Sequence, residues 1–173
     1  MNRKKYKECL HVEIGRGFKA FLKARFICSF NAVFLIRKAQ YHYKKGVIRN
    51  LISKHYVNKL IKTYGIFIRP NYVIGSGLRL PHPNSIIIGS NNIGKNCTIF
   101  QQVTIGSARM GDFKKQNQPT IGDDCIFFAG CKVLGNISVA DGTIVGANAV
   151  VTKDTEKDGT YVGIPAHKVV KNK

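Results

Sequence analysis

A repeat of period six runs through the second part of the chain and constrains its fold more than any other feature. Large apolar residues recur at Ile68, Ile74 and Leu80, then at Ile87, Ile93, Ile99 and Ile105, and again at Ile121, Phe127, Val133, Val139, Val145 and Val151. Glycine follows directly at Gly75, Gly94, Gly106, Gly122 and Gly146. Small or modest side chains stand two residues before the large ones, at Cys97, Val103, Cys125, Cys131, Thr143 and Ala149. Neither the helical period of about 3.6 nor the strand period of 2 produces a six by itself. Strands of about four residues joined by tight turns do: the large residue and the one two before it share the inward face, and glycine admits the close turn. Three such strands form one triangular coil of a parallel β-helix, and stacked coils bury a continuous core. The expectation is a mainly β fold, with a β-helix over 66–173 and a separate segment over 1–65.

Breaks in a regular wall are where loops leave it and sites form. The first is a one-residue slip between Leu80 and Ile87, containing Pro81, His82 and Pro83. The second is the step of 16 residues from Ile105 to Ile121, 10 more than the repeat allows, which extrudes a loop over 107–118 and leaves a tail at the C-terminus. Prolines on both sides fix the backbone of His82. A rigid imidazole that titrates near neutral pH suits a general base that takes a proton from an attacking hydroxyl. A structural turn histidine is the competing reading. His11, His42, His55 and His167 read as solvated groups, and no His, Cys or acid cluster has metal-ligand spacing.

The net charge of +19 comes from 28 Lys and Arg against 9 Asp and Glu. It is unevenly placed: residues 1–65 hold 16 cations and 2 acids, or +14, and residues 66–173 hold 12 and 7, or +5. Such a surplus fits nucleic acid, an anionic membrane or phosphate-bearing ligands. No helix-turn-helix, zinc-knuckle or RNP-like string is present, so nucleic acid is not expected as a partner. Five cysteines, an odd number without a CxxC pair, and a Met1–Lys7 start unlike a signal peptide point to a reduced, cytoplasmic setting. Cys97, Cys125 and Cys131 fall at small inward positions and read as core. The longest apolar run, 26–36, is 11 residues, short of the ~20 that span a bilayer. Residues 12–40 and 45–63 read as basic amphipathic helices. They cap the first coil, and a basic face on them would also meet an anionic membrane surface, at the inner face of the membrane.

Five strings together resemble the hexapeptide-repeat acyltransferases, and most closely the serine acetyltransferase family with its bacterial sugar and polysaccharide O-acetyltransferases. They are GLRLPHPNSIIIG (77–89), IFQQVTIG (99–106), IGDDCIFFAGCKVLGNISV (121–139), IVGANAVVTKD (144–154) and VGIPAHKV (162–169). The resemblance implies a left-handed β-helix, acetyl-CoA as the donor substrate without a metal, and a catalytic role for His82. It also implies a homotrimer with sites between subunits. It implies coenzyme contacts at Gly106 and Ser107, at Ala129 and Gly130, and at Gly146 and Ala147, with Lys153 and Lys168 near the phosphates.

The chain also departs from the serine enzymes. Where they commonly carry an aspartate that orients the histidine, the repeat register puts Phe67. Where their loop ends in Asp-Arg-His-Pro, this chain reads Gln116, Asn117, Gln118, Pro119, so the arginine able to grip a serine carboxylate is an amide. Their N-terminal domain is longer and less basic. These departures favour a sugar or glycan hydroxyl as acceptor, bound by Asn84, Arg109, Asn117 and Gln118. Serine O-acetylation is the alternative, and a non-catalytic scaffold or basic nucleic-acid binder is the reading from another class. The loop cations Arg109, Lys114 and Lys115 would meet an acidic sugar or phosphate, or keep the loop soluble.

Overall fold

A computed structural model describes residues 1–90, 92–109 and 117–170. Among the described residues four helices come first: α1 (Arg3–Glu13), α2 (Gly17–Phe26), α3 (Cys28–His42) and α4 (Val47–Tyr64). Fourteen short strands follow among them, in three sheets. The first sheet stacks β1 (Phe67–Ile68), β3 (Ile87–Ile88), β6 (Thr104–Gly106), β9 (Lys132–Leu134) and β12 (Val150–Val151). The second stacks β2 (Val73–Ile74), β4 (Asn92–Ile93), β7 (Thr120–Ile121) and β10 (Ser138–Val139). The third stacks β5 (Thr98–Ile99), β8 (Ile126–Phe127), β11 (Ile144–Val145), β13 (Thr160–Val162) and β14 (His167–Lys168). All neighbours are parallel except β13 and β14, where the chain turns back on itself.

The six-residue pattern sets the core. Ile74, Ile93, Ile99, Ile105, Ile121, Phe127, Val133, Val139, Val145 and Val151 all point inward and are buried. Cys97, Cys125 and Cys131 fill the space between them as expected and are fully buried. The coils stack closely: a Cβ on Gly75 would lie 2.6 Å from the carbonyl of Gly94, so only glycine fits there.

One assignment of the repeat needs correction. Ile87 faces outward at 44% exposure, while Ile88 is buried and pairs in register with Ile68 and Ile105. The corners explain it. Ser85, Gln102, Gly130 and Asn148 each take a positive φ and mark one corner of successive coils, and the N–H of Gln102 donates to the carbonyl of Asn84. Counted from that corner, Ile86 and Ile88 occupy the places of Val103 and Ile105. The slip therefore adds two residues before Ser85, and the step from Ile88 to Ile93 is one short.

The N-terminal segment also differs from two long helices. Gly15 and Gly17 take φ values of 104° and 71°, which end α1 and begin α2. Ile27 is extended, and Asn31 Nδ2 donates to the carbonyl of Ala24 at 2.5 Å, so α2 and α3 meet at an angle. Ala32, Val33, Leu35, Ile36 and Leu60 join the β-helix interior in one apolar core. Arg37, expected beside the apolar stripe, is fully buried. It forms an ion pair with Glu13 and donates to Gln40 Oε1 (2.9 Å) and to the carbonyls of Ile74 (3.0 Å) and Gly75 (2.6 Å). Glu13 in turn accepts the N–H of Leu78 at 3.1 Å. The first coil has no coil before it to bond, and this pair satisfies backbone groups that would otherwise be unpaired.

Candidate active site

His82 sits on the corner between the third and first sheets, where the two extra residues bulge from the coil. Pro83 is buried beneath it, and the N–H of Asn84 donates to the carbonyl of His82 at 2.8 Å. Asn84 Oδ1 accepts from Ser85 Oγ at 2.9 Å, so the amide is held next to the histidine. The imidazole is exposed and lies 6.0 Å from the ring of Phe100, which stacks 5.2 Å from Phe128 on the next coil. Gly146 continues the same column on the coil after that, since the N–H of Phe128 donates to Val145 and that of Gly146 to Tyr161. Among the described residues no carboxylate contacts His82. Phe67 lies on the outer face of the first sheet, half exposed, opposite Ile87.

Ala129, Gly130, Gly146 and Ala147 belong to this same corner. Gly130 donates to the carbonyl of Gln101 and Asn148 to that of Ala129, which stacks these small residues below His82. Gly106 and Ser107 stand at the other edge of the first sheet. Among the described residues, a Cβ on Gly106 would meet nothing within 4 Å, and Ser107 Oγ is buried without a hydrogen-bond partner. Ser107 stands five positions after Gln102, roughly 16 Å of extended chain.

The loop ends lie at that far edge. Arg109 is exposed after β6, and Asn117 is half-buried just before β7. Gln118 is buried, with Nε2 3.4 Å from the Tyr72 hydroxyl. That correction removes Gln118 from the surface where an acceptor would meet it. Lys114, Lys115 and Gln116 lie outside the described residues. Lys153 is exposed at the turn after β12. Lys168 lies on the third sheet in an ion pair with Glu156 at 2.5 Å, whose carboxylate raises the lysine's pKa. The two lysines therefore stand on different walls. Among the described residues no three His, Cys, Asp or Glu side chains group as a metal site.

One chain thus presents an exposed, fixed histidine above a column of aromatic and small residues on one corner, and the loop ends on another. The bacterial transferase hexapeptide family (six repeats) matches residues 118–153, where the register described above is unbroken. Over these residues the chain is similar to the hexapeptide-repeat transferases. It is 42% identical over 138 residues to the serine acetyltransferase of Bacillus subtilis, covering 79% of this chain and 61% of that protein. The chain thus spans about three-fifths of the length of the curated relatives it matches. The crystal structure of the Neisseria gonorrhoeae serine acetyltransferase aligns with a TM-score of 0.81 and 26% identity, over 98% of this chain and 68% of that one. The same enzyme in complex with serine aligns with a TM-score of 0.81 and 25% identity, over 97% and 70%. The fold is the left-handed parallel β-helix of these hexapeptide-repeat proteins, with N-terminal helices.

Sequence reasoning missed the Phe100–Phe128 column and the inward turn of Gln118. The first had a signal: each phenylalanine follows an inward residue, where six other coil positions carry glycine. The second depends on Tyr72, two coils away, and had none.

Proposed function

We propose that this chain is an acetyl-CoA-dependent O-acetyltransferase with His82 as general base. The observation that carries this reading is the exposed imidazole held at a doubly proline-flanked bulge, above a column that narrows to Gly146 and Ala147. In the reaction an imidazole nitrogen takes the acceptor hydroxyl proton as the oxygen attacks the thioester carbonyl. The carbon–sulfur bond then breaks, and the imidazolium returns the proton to the departing thiolate. Ala129, Gly130, Gly146 and Ala147 leave room for the pantetheine arm, with Gly106 and Ser107 at the second edge and Lys153 and Lys168 toward the phosphates.

His82 and the loop ends lie on different corners of one prism, and a base acts only within hydrogen-bond reach. A homotrimer solves this, because a neighbouring copy brings Arg109 and Asn117 to the histidine and encloses the coenzyme. Proximity in such a groove supplies much of the rate.

For the acceptor, the relatives support serine rather than the sugar hydroxyl that the neutral loop amides favoured. The sugar reading keeps one specific observation. Phe100 and Phe128 offer a ring face beside His82, Asn84 offers an amide, and Asn117 offers no charge for a carboxylate. Thiol release measured with serine, hexoses, amino sugars and nucleotide sugars separates the two: turnover on serine alone establishes the first reading. His82→Ala is expected to lower turnover by about 10²–10⁴-fold with unchanged circular dichroism, since the side chain is exposed. Undiminished turnover in that variant removes the mechanism.

A further inference from the structure

Helix α2 is turned the wrong way round for a helix of a water-soluble cap. It faces α3 with Ala20 and Ala24, and Ala24 is its single buried residue. Its large apolar side chains face out: Phe18 is 73% exposed, Phe21 62%, Phe26 73% and Leu22 37%. At about 100° per residue these four cover an arc of roughly 140°. Lys19 and Lys23 are exposed along one margin of this arc, and the exposed Arg25 falls within it, between Phe21 and Phe18. The Arg25 guanidinium sits 5.6 Å from the Phe26 ring, and Lys23 Nζ sits 5.3 Å from that of Phe30.

Between α2 and the other helices lies an open pocket of about 400 Å³ lined by Leu10, Ile14, Ala20, Phe21, Phe34 and Tyr56, yet Phe18 and Phe26 stay outside it. The outward patch is on the order of 400 Å², taking each phenylalanine at about 200 Å². The largest apolar patch on a monomer is commonly of that size and is often functional.

We infer that this face docks on an anionic phospholipid bilayer. Charge decides between occupants. Residues 1–65 carry 16 cations against Glu8 and Glu13, and Glu13 is buried against Arg37. A second copy would set +14 against +14, whereas an anionic surface attracts the cations while the rings enter the headgroup boundary. No helix among the described residues is long and apolar enough to cross a membrane, so the contact is peripheral. It would hold the acetyl-transfer site next to acceptors at the bilayer.

The test is co-sedimentation of the full chain with vesicles of phosphatidylcholine containing about one-third phosphatidylglycerol, against phosphatidylcholine alone. Partitioning should fall at least about tenfold on neutral vesicles and in the Phe18→Ser/Phe26→Ser variant, and should weaken with added salt. Both positions are exposed, so the melting temperature and thiol release of the variant should match the parent. Absence of binding to the anionic vesicles, or equal binding by the variant, overturns the inference. Light scattering that shows the variant breaking a larger assembly, with no vesicle binding by the parent, assigns the face to protein contact and overturns it too.

Discussion

Replacing Arg37 with Met tests the claim that one buried ion pair fastens the helical cap to the first coil. Arg37 and Glu13 have side-chain exposures of 0% and 1%. The substitution keeps an apolar stem of similar reach and removes the guanidinium. It strands the Glu13 carboxylate, the Gln40 oxygen and the carbonyls of Ile74 and Gly75. Leaving one partner of a buried pair costs about 3–5 kcal/mol. For a chain of this size each kcal/mol moves the melting temperature by about 2–4 °C, so the expected loss is roughly 6–20 °C. The double variant Glu13→Met/Arg37→Met should lose less than the sum of the singles, by about 0.5–3 kcal/mol. It should not return to the parent value, because the Ile74 and Gly75 carbonyls and the Leu78 N–H remain without partners. Thermal melts by circular dichroism measure all three. An Arg37→Met melt within about 2 °C of the parent would refute the fastening role.

Other consequences are equally direct. Gly75→Ala should cost about 1–3 kcal/mol by forcing coils apart, while Gly106→Ala, with open space beside it, should melt like the parent and report any coenzyme role as a raised KM for acetyl-CoA. Only Cys28 is exposed among the five cysteines, so a chromogenic disulfide reagent should titrate one thiol per native chain and five after denaturation; two or more fast thiols in the native protein would contradict the burial. Burial pushes the Cys131 thiol up to about 12 from 9.0. Between those values the unfolded chain has released a proton that the folded chain keeps, so stability should fall by about 1.4 kcal/mol per pH unit as pH rises above 9. Cys131→Ala should flatten that slope in urea titrations.

Much of the architecture is legible in the sequence because a β-helix repeats one local rule. Inward residues such as Ile99 and Val145 announce themselves every six positions, and glycines such as Gly75 mark where coils approach. The rule fails where partners are distant in sequence. Ile87 and Ile88 are equally apolar, and only the corner at Ser85 decides which one turns in. Arg37 looks solvated from its own helix, since its partners come from α1 and from a β-helix strand 37 residues away. For the site, His82 stands out through its prolines, but its surroundings combine three coils. Gln118 shares the polarity of Asn117, yet Tyr72 draws one inward and leaves the other near the surface.

The reversal at β14 limits how such a solenoid can grow. A coil of parallel strands offers hydrogen-bonding edges at both ends and can in principle extend without limit. Here α3 and α4 close one end. At the other, the antiparallel β14 seals β13, and the turn at 163–166 bonds both the N–H and the carbonyl of Val150. The Asp154 carboxylate takes the N–H of Ser138 on the remaining sheet. With both ends stopped, copies cannot stack into a fibre along the axis. Association between copies would then run sideways through the walls, where a head-to-tail contact makes a ring when its rotation closes.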